Sequence, residues 1–160
     1  MGPDHVMFGG AIMKIVFSRS ATERFVPNAA NAEVMVTASD EGRIRELVRR
    51  WFLKESSAYA VRRVGELSPL LGVRPSRVDV REIGQWGYCT RKGRLSFSWQ
   101  LVALPDRLRD YIVLHELTHL VEFSHSSAFK KRLGSVCPDF RAREKELGSI
   151  VPYDGLAPPA

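Results

Sequence analysis

The feature that constrains this chain most is one run, Leu108 to Phe123, which is apolar on nearly every side yet carries His115, Glu116, Thr118 and His119 in its middle. A helix that is apolar all round is buried within its domain. Burying imidazoles beside a carboxylate is costly unless something satisfies them. The run therefore predicts a central helix around which the rest of the chain closes, with a polar cluster that needs a partner.

His115 and His119 continue the stripe of Leu108 and Ile112. Four positions apart, they share one helix face with Cβ atoms about 5–6 Å apart. In the pattern H-E-x-x-H two such imidazoles converge on one zinc ion, at Zn–N distances of about 2.0–2.1 Å. Glu116, one position along, flanks that face and has the geometry of a general base. A catalytic zinc needs a third protein ligand and an open position. His125 is the leading candidate. A straight helix would carry it about 240° around the axis and about 9 Å along it, so the chain must turn back after His119. Ser124 and Ser126 mark the expected break, since serine favours caps and turns. Glu122, Glu144 and Glu146 are alternative carboxylate ligands. A lone histidine on an apolar face is more often a core residue, but a five-residue pattern with a third histidine in reach makes coincidence the weaker reading. The H-E-x-x-H-x-x-G-x-x-H variant with a downstream Met-turn does not apply: Glu122 holds the glycine position, and Met1, Met7, Met13 and Met35 all lie upstream.

The remaining pattern points to an α+β domain. Ile44, Leu47, Val48, Trp51, Ala58 and Val61 recur at helical spacing between Asp40 and Val64, with Ser39 or Asp40 as N-cap and Gly65 as terminator. LSPLLGVRPS then breaks the helix. Val78 and Val80, and after Lys92-Gly93 Leu95, Phe97 and Trp99, alternate as half-buried strands, expected to form a hairpin closed through WGYCTRKG. Asp106 is the expected N-cap of the central helix. A short helix over Ala128–Leu133 should end at Gly134, and a last one, opened by Pro138, should end near Gly148. A small antiparallel or mixed sheet packed on an N-terminal helix and the H-E-x-x-H helix follows.

A length of 160 residues suits one domain. The reading divides it into an extension with strands at 1–38, partly mobile and including His5, a catalytic domain at 39–150 and a tail at 151–160. Cys89 and Cys137 form no C-x-x-C pair and suggest neither a disulfide framework nor a zinc ribbon. A cytoplasmic setting is the default expectation. Asp4 before the apolar Val6–Ile12 argues against a signal peptide, and no apolar run reaches membrane-span length. The net charge of +6 is scattered rather than grouped, which fits solvated faces better than a dedicated groove, with nucleotide or nucleic acid as a possible partner.

Three motifs in order carry a resemblance to a known family: Trp86-Gly87-Tyr88-Cys89 followed by Gly93, Pro105 leading into YIVLHELTHL, and HSSAF followed by Pro138-Asp139-Phe140. From about Trp51 to Leu147 the chain resembles the YgjP-like metallopeptidase-domain proteins, relatives of the minigluzincins and of the SprT-like and WLM proteases. The resemblance implies a zincin-like fold, one zinc per chain on His115, His119 and His125, and Glu116 as base. It departs from the usual pattern at Tyr88, where the family has a small residue, and at Lys130, where it has an aromatic.

The expected reaction is peptide hydrolysis by a zinc-bound water activated by Glu116, in a monomer acting on peptides or unfolded proteins held by strand addition along Leu95–Gln100. Candidate substrate contacts are Trp86, Tyr88, Arg91, Arg94, Phe97 and Trp99, with Trp86 and Trp99 read first as core aromatics. Cys89 reads as a small buried residue before it reads as a fourth ligand or switch. Two alternatives share the chain. One is hydrolysis of a nucleoside triphosphate, implied by the resemblance, with Arg91, Lys92 or Arg94 on the phosphates. The other is a DNA-associated protein, suggested by the SprT-like and WLM kinship.

Overall fold

The computed structural model describes residues 4–150. Strands β1 (His5–Phe8), β2 (Ala11–Arg19), β3 (Arg24–Asn28) and β4 (Glu33–Ala38) form a mixed sheet in the order β1-β2-β4-β3. Its inner face follows period two: Met13 and Ile15 on β2, and Val34, Val36 and Ala38 on β4, are buried. His5 opens β1 and is not part of a loose tail. Gly9 and Gly10, both at positive φ, turn β1 into β2. Their N–H groups donate to the carbonyls of Val102 and Ala103 at 2.9 and 2.7 Å.

Helix α1 (Ile44–Leu71) spans the molecule and serves two apolar clusters. Its first half places Ile44, Leu47, Val48 and Phe52 on the first sheet. Its second half places Tyr59, Ala60, Val64, Leu67 and Leu71 against the part of the chain that follows it. The sequence reading ended this helix at Gly65. It continues through Pro69, because Leu67 and Leu71 extend the buried face and outweigh the cost of about 1 kcal/mol for a mid-helix glycine, and it stops at Gly72 in the left-handed conformation. Ala58 and Val61, assigned to the inner stripe from spacing, are exposed; Tyr59 and Ala60 take that place.

The second sheet holds β5 (Arg77–Arg81), β6 (Gly87–Cys89) and β7 (Arg94–Ser98) in the order β5-β7-β6. The expected hairpin of β5 with β7 does not form: those strands pair in parallel, and the hairpin partner of β7 is β6. The turn at Lys92-Gly93 is where it was expected, with Gly93 at φ 79°, but its arms are β6 and β7. Strand β7 is central and β6 lies at the edge.

Helix α2 (Asp106–Thr118) follows, with Pro105 rather than Asp106 as N-cap. Leu108, Ile112, Val113, Leu114 and Leu117 bury it among α1, β7 and the last two helices, α3 (Ser127–Val136) and α4 (Phe140–Gly148). Arg63 on α1 grips Asp110 on α2 with two hydrogen bonds of 2.7 Å, and the Tyr59 hydroxyl donates to the same carboxylate at 2.6 Å. No helix among the described residues is long and apolar enough to cross a membrane.

Candidate metal centre

Helix α2 ends at Thr118, earlier than the apolar run suggests, with His119 as C-cap. The N–H groups of Leu120, Val121 and Glu122 fold back onto the carbonyls of Leu117 and Thr118. This reversal begins five residues before Ser124, the break read from the sequence. Ser126 caps α3, its hydroxyl accepting from the Phe129 N–H at 3.3 Å. Between the turn and the cap, His125 is returned to the open end of α2.

The three imidazoles meet through Nε2, at 3.2 Å for His115 and His119, 3.1 Å for His119 and His125, and 3.0 Å for His125 and His115. A tetrahedral ion with Zn–N of about 2.0–2.1 Å sets its nitrogens roughly 3.3 Å apart. The protonation pattern fits as well. His119 Nδ1 lies 3.1 Å from the Glu122 carbonyl. Only an N–H donates to a carbonyl, so the proton is on Nδ1 and Nε2 is a bare lone pair. Burial first, then the two neighbouring imidazoles, push His115 down to about 3. His119 is also lowered, by burial first and by His125, against the Glu122 carbonyl that favours its cation. Three imidazoles with their Nε2 atoms turned to one point are a donor set for a soft or borderline cation. Among the described residues, this trio is the group of three or more potential ligands whose donor atoms lie within 4.8 Å of one another.

Phe129 supports all three rings, with centroids 5.0 Å from His115, 4.6 Å from His119 and 5.0 Å from His125. The sequence reading missed it as a site residue, although it is the last member of the quoted HSSAF motif. Tyr111, one turn before His115, sets its hydroxyl 3.4 Å from His115 Nδ1.

Glu116 points to the other flank, 6% exposed, and burial pushes its carboxyl up to about 8. A dication at the imidazoles would set opposite charge near it and favour its ionised form. Gly87 on β6 is what lets the carboxylate lie there. A Cβ at that position would stand 3.0 Å from Glu116 Cγ and 3.2 Å from Oε1. Gly87, Tyr88 and Cys89 form the wall of a cleft of about 300 Å³, with His115, Glu116, His119, His125 and Phe123 opposite. Burial and then Glu116 push the Cys89 thiol up to about 11, which keeps it protonated.

The alternative ligands lie elsewhere. Glu122 contributes its carbonyl to His119, Glu146 pairs with Arg107, and Glu144 is exposed on α4. Of the candidate substrate residues, Tyr88 lines the cleft, Trp86 lines a neighbouring hollow with His115 and Glu116, and Arg91 stacks on Phe123 at 4.6 Å. Three are corrected. Phe97 is wholly buried in the core. Trp99 packs 6.0 Å from Phe52 in the first apolar cluster. Arg94 is bound to Asp79, its Nε at 2.8 Å. The strand-addition site moves too. Central β7 has both edges occupied, whereas edge strand β6 faces the cleft. In its antiparallel ladder Trp86 and Thr90 bond to β7 at 2.9 Å, so by alternation the N–H and C=O of Gly87 and Cys89 point away from β7.

The family described as YgjP-like, metallopeptidase domain, matches residues 4–149, and so takes in the first sheet as well as the motifs downstream of Trp51. The fold is similar to the crystal structure of the metallopeptidase zymogen of Pyrococcus abyssi abylysin, with a TM-score of 0.51 and 22% identity over 55% of this chain and 90% of that one. No curated protein matches the chain.

Proposed function

The chain belongs to the YgjP-like family of metallopeptidase domains, and from that premise we propose that it is a zinc-dependent peptidase in which His115, His119 and His125 hold one zinc ion and Glu116 is the general base. The observation that carries the reading is the convergence of the three imidazole Nε2 atoms at 3.0–3.2 Å beside a buried carboxylate. Zinc, when bound, supplies a Lewis acid that acidifies water and polarises a carbonyl. The chain's own residues do the rest. Glu116 takes the proton of the attacking water and returns one to the leaving amine. Gly87 leaves room for that carboxylate. The outward N–H and C=O groups of Gly87 and Cys89 hold an extended peptide backbone by strand addition.

The edge geometry favours peptides over triphosphates. Of the three basic residues proposed for phosphates, Arg94 is committed to Asp79 and Arg91 to Phe123, and both Arg91 and Lys92 are exposed. The free thiols of Cys89 and Cys137 fit the cytoplasmic setting we propose. The test pairs unfolded casein and a peptide library with a panel of nucleoside triphosphates, for wild type and Glu116→Gln. Glu116-dependent cleavage of peptides is the expected result. Glu116-dependent hydrolysis of triphosphates with every peptide left intact would replace this reading with a nucleotide hydrolase, and salt-sensitive DNA binding that needs no metal would favour a DNA-associated role.

A further inference from the structure

We propose that the hollow enclosed by α2, α3 and α4 is the pocket that selects the substrate, and that it takes a phenylalanine- or leucine-sized side chain from a residue flanking the cleaved bond. This rests on the peptidase reading and names the substrate class of the same site. The hollow measures about 280 Å³, and His115 and His125 form part of its lining. A side chain entering it therefore hangs from a backbone that passes the histidine cluster.

Tyr111, Phe129, Leu133 and Phe140 supply its apolar lining. Tyr111, Phe129 and Leu133 are 4%, 2% and 1% exposed and belong to the apolar core, and half-buried Phe140 packs against that core beside them. Such a pocket is formed before any ligand arrives. The Tyr111 hydroxyl is turned toward His115 Nδ1 at 3.4 Å, so a polar side chain entering the hollow would leave its water for few partners. An apolar one gains burial. The charged residues Lys130, Arg141 and Glu144 stand exposed at the rim. They carry both signs and lie in solvent, which leaves shape and apolar area, rather than charge, to discriminate.

The adjoining hollow beside Trp86 and Gly87 holds only about 130 Å³. It shares Tyr111 and His115 with the larger one. A backbone lying along β6 therefore passes a roomy pocket and a tight one beside His115, and a third hollow of about 220 Å³ beside His119 that Thr90, Arg91 and Phe123 help to line. Of the two larger hollows, Tyr111, Phe129 and Leu133 line only the first, which predicts a demand for apolar bulk at the position it serves.

The experiment uses the zinc-loaded chain and two variants outside the proposed chemistry: Glu144→Trp, which sets a ring at the pocket mouth, and Phe140→Ala, which widens it. Peptides randomised at the two positions flanking the cleaved bond are digested and the products sequenced by mass spectrometry. In parallel, N-acetyl-phenylalaninamide and N-acetyl-glycinamide are titrated into zinc-loaded Glu116→Gln protein by NMR. Wild type is expected to prefer Phe or Leu over Gly at one of the two positions by on the order of tenfold to a hundredfold in kcat/KM. Glu144→Trp should remove most of that preference at unchanged zinc content and melting temperature, and Phe140→Ala should shift it toward Trp. The phenylalanine probe should move the amide signals of Leu133 and Phe140 where the glycine probe does not. Peptide cleavage indifferent to bulk at both positions, with no probe-specific shifts, overturns the pocket while the peptidase reading stands. Shifts at the pocket with no peptide cleaved at all overturn the peptidase reading, and the pocket's role in selecting a peptide side chain falls with it.

Discussion

Glu116 and its neighbours divide labour in a way that single substitutions separate. Glu116→Gln keeps the shape of the side chain and removes the proposed base, so zinc content should stay at one per chain while turnover falls by on the order of 10²–10⁴. Gly87→Ala attacks the same carboxylate from across the cleft. The added Cβ meets Glu116 Cγ at 3.0 Å and Phe97 Cδ1 at 3.2 Å, so Glu116 must shift. A displacement of about 1 Å costs up to 10²-fold, again with zinc retained. A Gly87→Ala enzyme of wild-type kcat would show that the contact does not position the base. His125 and Glu122 form a second contrast. Glu122 serves His119 through its carbonyl, so Glu122→Ala should bind zinc normally while His125→Ala loses it, as read by metal analysis after dialysis. The residues of H-E-x-x-H were legible because their spacing alone fixes a shared helix face. Gly87 and Phe129 were present in quoted motifs yet not read as site residues, because their roles are contacts across the fold that no local spacing encodes.

At the scale of elements, the placement of His125 depends on an early stop in α2, a tight turn and the start of α3. Nothing in the apolar run Leu117–Phe123 announces that stop, which contains neither glycine nor proline. It is accompanied by a local contact, His119 onto the Glu122 carbonyl, and by a contact from the next helix, Phe129 beneath the rings. Phe129 is 2% exposed, so Phe129→Ala should destabilise the fold by about 3–5 kcal/mol and also loosen the histidines. Thermal melts with and without zinc read both effects. Unchanged zinc affinity in that variant would show that α3 merely packs against the site. Strand order failed for a related reason. Period two in Leu95–Trp99 identifies a strand but not its neighbours, and β6, with three residues, is too short to carry a period of its own. The C-terminal end of α1 was misread because Gly65 and Pro69 are local breakers that burial of Leu67 and Leu71 overrides.

Across the whole molecule, α1 and α2 are tied together at Asp110. Burial alone would raise this carboxyl, but hydrogen bonds from Arg63 and Tyr59 outweigh it and hold it below the usual aspartate range. A depressed native pKa means the unfolded state binds protons more readily, so the contribution is complete above the ordinary aspartate pKa and is lost as pH falls through the lower native value. Both partners of the ion pair are less than a third exposed. Asp110→Asn should therefore lower stability by about 1–3 kcal/mol at neutral pH and flatten its decline on acidification, measured by denaturant unfolding from pH 7 to 3. An acid limb as steep as wild type would place the acid sensitivity elsewhere. The first sheet lay largely outside the reading from motifs, but it shares α1 with the catalytic half and falls within the family match.

The central claim is that three imidazoles and no thiolate hold the ion, and the zinc K-edge absorption spectrum of the loaded protein measures that directly. The arrangement of His115, His119 and His125 predicts three imidazole nitrogens at about 2.0–2.1 Å with the remaining coordination from oxygen. A sulfur shell near about 2.3 Å, which would bring Cys89 into the coordination sphere, or a fit requiring only two imidazoles, would contradict it.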